Sequence, residues 1–238
     1  MKYGQFCPIA KATEILGERW TILIIRELLM GARRFSEFQR GLGFISPALL
    51  ASRLKFLEDQ GLVAKRRIQG QKGFEYFPTK AADELMPALM AIGEWGLCWA
   101  RDNLLDEDFD VELLMAYLER SVDPDAIAGG HAVVRFEFTD LEQQRRWWLL
   151  VDGARVELCL KDPGQDVDVY ITSSVRTMSE VWMGDRTYRD ATRSGDLVLE
   201  GTPALTRSIA TWLRPSVFAD SPRKRPLGPG TGRPAASR

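Results

Sequence analysis

Apolar residues recur along the first hundred positions with a helical period, and glycine or proline interrupts them at intervals. Pro8–Leu16 is predicted as a short helix with Ile9, Ala12, Thr13 and Leu16 on one face and Gly17 as its stop. Residues 19–30 are apolar nearly all round (Trp20, Ile22, Leu23, Ile24, Ile25, Leu28, Leu29), which predicts a central buried helix ended by Gly31. A third helix is expected over 36–42, capped by Ser36 with Gln39 completing a capping box and with Phe35, Phe38 and Leu42 inward. Gly41 and Gly43 bracket a tight turn. Ser46-Pro47 then opens a fourth helix, because a hydroxyl caps it and proline at the first position misses no N–H. Leu50, Leu54 and Leu57 form its inner stripe.

After Gly61 the period changes to two. Residues 62–68 and 74–77 read as a hairpin around Gln69-Gly70-Gln71-Lys72-Gly73. Thr79 is expected to cap a last helix running toward Arg101, kinked by Pro87, with Leu85, Leu89, Ile92 and Trp95 among its apolar positions. Acid concentrates over 103–110, which predicts a linker. A helix marked by Val111, Leu114, Met115 and Leu118 follows it. Strands are then expected over 132–138, 147–151, 155–161, 167–172 and 196–200. Helices are expected over 174–183, near 187–192 and from Thr202-Pro203 through Leu205, Ile209 and Trp212. The fold class is α+β, and the second half is a mostly antiparallel sheet covered by helices. The boundaries are therefore 1–102, a linker at 103–110, a second domain at 111–220, and a tail at 221–238. That tail is Pro, Gly, Ser, Lys and Arg with little to bury, and is expected to be disordered.

Charge sharpens this division. The chain is close to neutral at −1, yet residues 1–102 carry +4, residues 103–220 carry −10 and the tail +5. A polyanion would tolerate the first section and avoid the second. Three scattered cysteines (Cys7, Cys98, Cys159) fit a reducing compartment rather than a disulfide framework. No apolar run is long enough to span a membrane, and no secretory leader pattern opens the sequence, so a cytoplasmic protein with no membrane partner is expected.

The third and fourth predicted helices with their glycine-punctuated turn have the layout of a helix-turn-helix. The second of the pair would enter a major groove. Ser46, Ala48, Leu49, Ser52, Arg53 and Lys55 are its candidate DNA-facing residues. Arg53 is the strongest base reader, since a guanidinium bonds guanine O6 and N7 together. The hairpin adds Lys65, Arg66, Arg67 and Lys72. Strand alternation puts Lys65 and Arg67 on one face and Arg66 on the other, so Arg67 and Lys72 are the hairpin candidates for a minor groove or the sugar-phosphate backbone. A solvated surface helix can show the same Ser and Arg pattern.

Residues 7–96 resemble the HxlR family of winged-helix regulators. The stretches are "CPIAKATEILGERWTILIIRELLMGARRFSEFQR", "ISPALLASRLKFLEDQGLVAKR" and "YFPTKAADELMPALMAIGEWG". The resemblance implies a homodimer on a pseudo-palindromic duplex operator. It places the dimer contacts on Pro8–Leu16 and residues 85–99, with Trp95 and Trp99 as anchors. It also implies a candidate redox sensor at Cys7, where a thiol at a helix N-terminus favours the thiolate. A cysteine there can equally be a small packed group. The hairpin tip departs from the family, whose wings carry more histidine or arginine.

Residues 111–215 resemble the sterol-carrier-protein-like domain through "WWLLVDGARVELCLKD", "VDVYITSSVRTMSEVWMGD" and "GDLVLEGTPALTRSIATWL". That resemblance implies a twisted sheet under helices and a site for an apolar small molecule. Trp148, Met178, Trp182, Leu205 and Ile209 are the candidate lining residues, and all five could equally be core. Chemistry beyond binding has little support in the sequence. The single histidine, His131, has no evident nucleophile partner, and no metal-ligand spacing, phosphate loop or Gly-x-Ser-x-Gly occurs. The expectation is a DNA-binding regulator, not an enzyme, without cofactor or metal. The alternative is a small-molecule-binding protein that uses its first section for dimerisation.

Overall fold

The computed structural model describes residues 2–70, 72–100, 104–105 and 108–221. The predicted tail therefore lies almost wholly outside the described residues, as do Gln71 and part of the acidic linker. The chain forms two compact units, Met1–Ala91 and Ile92–Arg238.

The first unit holds helices α1 (Pro8–Leu16), α2 (Thr21–Leu29), α3 (Phe35–Leu42) and α4 (Pro47–Asp59), then strands β1 (Val63–Arg67) and β2 (Phe74–Pro78) and helix α5 (Lys80–Asp83). Helix α6 (Met86–Trp99) begins in this unit, and the division between the units falls within it. Ile24, Ile25 and Leu28 of α2 meet Phe38 of α3 and Leu50, Leu54 and Leu57 of α4 in a fully buried cluster. Burial of each such side chain is worth about 1.5–3 kcal/mol. Tyr76 of β2 seals that core edge-on to Phe38, with ring centroids 5.9 Å apart. The strands pair antiparallel with Lys65 opposite Tyr76 and Arg67 opposite Phe74. The Tyr76 N–H also donates to the Arg33 carbonyl at 2.9 Å, which ties the approach to α3 onto the hairpin.

Three boundaries differ from the expected ones. Helix α2 starts at Thr21 because Trp20 has φ 75°, a left-handed conformation that no helix interior accepts. The cap of α3 lies two residues upstream of Ser36. The Glu37 carboxylate accepts from the Arg33 and Arg34 N–H groups at 2.6 and 3.0 Å, so an acidic third position replaces the expected Ser36–Gln39 pair. The helix expected after Thr79 breaks after α5. Pro87 stands in the first turn of α6, where its missing N–H has no partner to lose. The Thr79 hydroxyl does not cap α5; it donates to the Gly61 carbonyl at 2.7 Å.

The second unit contains α7 (Val111–Ser121), β3 (His131–Phe138), β4 (Arg146–Asp152), β5 (Arg155–Cys159), β6 (Val169–Ser173), α8 (Val175–Trp182), α9 (Tyr188–Ser194), β7 (Leu197–Gly201), α10 (Pro203–Arg207) and α11 (Ile209–Trp212). The sheet order is β5-β4-β3-β6-β7. Only the central β3–β6 pair is parallel. Alternation sends Ala132, Val134, Phe136, Trp147, Leu149 and Ile171 to one face. There they meet Met115, Leu118, Met178, Val181 and Trp212 from the helices in one buried core. The final helix, expected as one piece, is split at Ser208 into α10 and α11, and the Trp212 indole N–H donates back to the Leu205 carbonyl at 2.9 Å.

Candidate nucleic-acid interface

Helix α4 is placed by its inner stripe and by its start. Ser46 has extended backbone, and its hydroxyl oxygen accepts from the Leu49 N–H at 3.3 Å, with Pro47 next in line. Ile45 is buried just before the cap and anchors the turn, while Gly43, with φ 55°, reverses the chain out of α3. A charged lock holds α3 against α2. The fully buried Glu27 carboxylate is 2.8 Å from the Arg26 guanidinium, which also donates to the Gly41 carbonyl at 3.0 Å. A Cβ on Gly41 would stand 2.0 Å from Glu27 Oε2, so the two helices approach as closely as glycine allows.

The outer face of α4 presents Ser46, Ala48, Ser52 and Lys55 to solvent. Lys55 is held 2.5 Å from Asp59, and this partner holds its ammonium pKa above the usual lysine range. Leu49, expected on the DNA side, packs partly buried against the core, so its side chain turns inward. Arg53 is not a free fork. Its Nη2 lies 2.9 Å from Glu18 Oε2, its Nε donates to the Arg19 carbonyl at 3.2 Å, and the side chain is 20% exposed. Residue spacing could not have revealed Glu18, since it lies 35 positions away.

On the hairpin, Lys65 sits over the Phe74 ring at 4.2 Å and Arg66 over the Phe77 ring at 4.6 Å, on opposite faces as alternation requires. Arg67 and Lys72 are exposed and, with Ile68, Gln69 and Gly70, line an open hollow at the tip. Cys7 stands half-buried at the N-terminal boundary of α1, where its carbonyl accepts from the Lys11 N–H at 3.0 Å.

Four of the five residues nominated for a small-molecule site belong to or pack against one buried core, and Trp148 lies apart from it. Met178, Leu205 and Ile209 are buried in the core between sheet and helices. Trp148 follows Trp147 on β4 and therefore points to the opposite sheet face, where it is 6% exposed. Trp182 stacks on Tyr117 at 4.6 Å and donates its indole N–H to the Ser121 hydroxyl at 2.8 Å. Phe44, 89% exposed in the turn before Ser46, was passed over because it falls outside both helical patterns.

The family model described as "HxlR-like helix-turn-helix" matches residues 15–103, and that of the "SCP-2 sterol transfer family" matches residues 113–214. Neither description is of an enzyme. Among curated proteins the chain is similar to the uncharacterized HTH-type transcriptional regulator YvaP of Bacillus subtilis (strain 168), with 37% identity over 108 residues, 44% of this chain and all of that one. It is also similar to the uncharacterized HTH-type transcriptional regulator Rv3095 of Mycobacterium tuberculosis H37Rv, with 38% identity over 89 residues. That match covers 37% of this chain and 56% of the relative, so the chain spans little more than half of the mycobacterial protein. Among solved structures, the reduced form of the transcriptional regulator YodB from B. subtilis is 31% identical over 39% of this chain and 92% of its own, with a TM-score of 0.35. The chain belongs to the HxlR-like helix-turn-helix family of transcriptional regulators and carries a domain of the SCP-2 sterol transfer family behind its regulator domain.

Proposed function

We propose that the protein binds a specific DNA operator as a homodimer and that an apolar small molecule, taken up by the second domain, modulates this binding. The observation that carries the reading is α4 itself. One face is fully buried through Leu50, Leu54 and Leu57, while the other exposes Ser46, Ala48, Ser52 and Lys55. A helix so placed after a helix-turn can lie in a major groove. The exposed Arg67 and Lys72 supply sugar-phosphate contacts from the hairpin. Arg53 keeps its Nη1 group for phosphate or base while Glu18 braces the rest of its fork.

Dimerisation is supported by apolar surface on the two helices that the family resemblance nominates. Ile9 of α1 is 76% exposed and Trp95 of α6 is 55% exposed, and α6 buries none of its residues fully. Two recognition helices of a dimer must match successive major grooves about 34 Å apart. A ligand that alters this separation weakens or strengthens DNA binding, and DNA alters ligand affinity by the same factor. The support for an apolar ligand is the match to the SCP-2 sterol transfer family and the apolar layer between sheet and helices. Native mass spectrometry of freshly purified protein is expected to show a retained lipid-sized adduct. A clean apo mass from every preparation contradicts the ligand half of the reading.

The DNA half is tested by enrichment of a random duplex library on the full-length protein. Recovery of a palindrome-like consensus is expected. Arg53→Ala should then weaken binding to that consensus about tenfold or more. Affinity within assay error of the wild type would contradict the assignment of α4.

A further inference from the structure

The geometry points to Phe44 as a reader of thymine. Its ring meets the C5-methyl group of a thymine in the major groove, so the start of α4 selects A·T pairs by apolar contact. This inference rests on the DNA reading above and adds the base that the turn prefers.

Phe44 is 89% exposed, while its neighbours on either side of Gly43 and Ser46 are fixed: Leu42 is 6% and Ile45 4% exposed. With both buried and Gly43 at φ 55°, the turn is pinned to the core and the ring is held on the solvent side. It stands three residues before Pro47, the first residue of α4, at the end of a recognition helix whose N-terminal residues contact base edges. The side chains that follow it at the start of α4 are short, and two of the three are apolar. The Ser46 oxygen accepts from the Leu49 N–H, Pro47 has no N–H, and Ala48 offers a methyl group. Phe44, Pro47 and Ala48 are all exposed, so the approach to α4 and its first turn offer apolar side chains to solvent. Past the Ser46 hydroxyl, polar side chains on this face resume at Ser52 and Lys55, one to two turns beyond Ala48. Among the bases, thymine alone presents a methyl group in the major groove, and an apolar side chain is its complement.

The test uses the full-length protein and the duplex it selects from a random library. Each thymine in that duplex is replaced in turn by deoxyuridine, which lacks only the methyl group. The wild type is expected to lose about fourfold in affinity at one position of each half-site, the value of one buried methyl. Phe44→Ala should lose a similar factor on the thymine duplex and nothing further on the deoxyuridine duplex, while Phe44→Leu keeps most of the discrimination. Circular dichroism melting of the variants should match the wild type, because the ring is exposed. A flat deoxyuridine scan, or full discrimination retained by Phe44→Ala, overturns the proposal and leaves the DNA reading intact. A change in oligomeric mass for Phe44→Ala, with DNA affinity per dimer unchanged, assigns the ring to a contact between copies and also overturns it. A wild type that selects no duplex overturns both.

Discussion

Glu27 shows how a single residue can set how closely two helices approach. Its carboxylate is fully buried in a mostly apolar helix, and it fills the space that a side chain on residue 41 would need. Replacement of Gly41 by alanine forces that carboxylate, or all of α3, to move. Gly41→Ala is expected to lower stability by about 1–3 kcal/mol, read as a lower urea midpoint with unchanged slope. An unchanged midpoint would show that the Arg26–Glu27 lock is slack. Arg53 offers a second test at this scale. Glu18→Ala removes the carboxylate brace but leaves the guanidinium present, so DNA affinity should hold or rise, whereas Arg53→Ala lowers it. Equal losses in both variants would mean that Arg53 acts only through the brace.

At the scale of elements, the exposed apolar residues of α6 need a covering. Met86, Ile92 and Trp95 are all exposed on a helix with no fully buried residue. Trp95→Asp is therefore expected to shift the protein from dimer to monomer in light scattering at micromolar concentration. A dimer mass unaffected by this change would move the interface elsewhere. Most elements were legible in the sequence because their signals are local. The Leu50, Leu54 and Leu57 stripe, the Ser46-Pro47 start and the alternation of Lys65 and Arg67 each need only a few neighbouring residues. What escaped depends on distant groups. Trp20 adopts φ 75° without glycine to announce it, and α3 takes its cap from Glu37. Trp148 was grouped with Met178 by size, although alternation on β4 already separates it from Trp147. The candidate DNA face was legible as a helix, but the partners of Arg53 and Lys55 on it were not.

For the whole molecule, overall charge is a poor guide, since −1 conceals a first section at +4 and a second at −10. Any contact with a polyanion must therefore be local, and the regulator domain is where α4 and the hairpin expose their cations. The second domain adds a sheet of five strands whose apolar face packs against helices in one buried core. Among the described residues no helix is long and apolar enough to cross a membrane. The central claim is that phosphates are neutralised at a specific duplex. It is tested most directly by the affinity of the full-length protein for its selected duplex across a range of salt concentrations. The account predicts that log K falls linearly with log salt, and that Lys72→Ala makes the slope shallower by about one. A flat plot would contradict it.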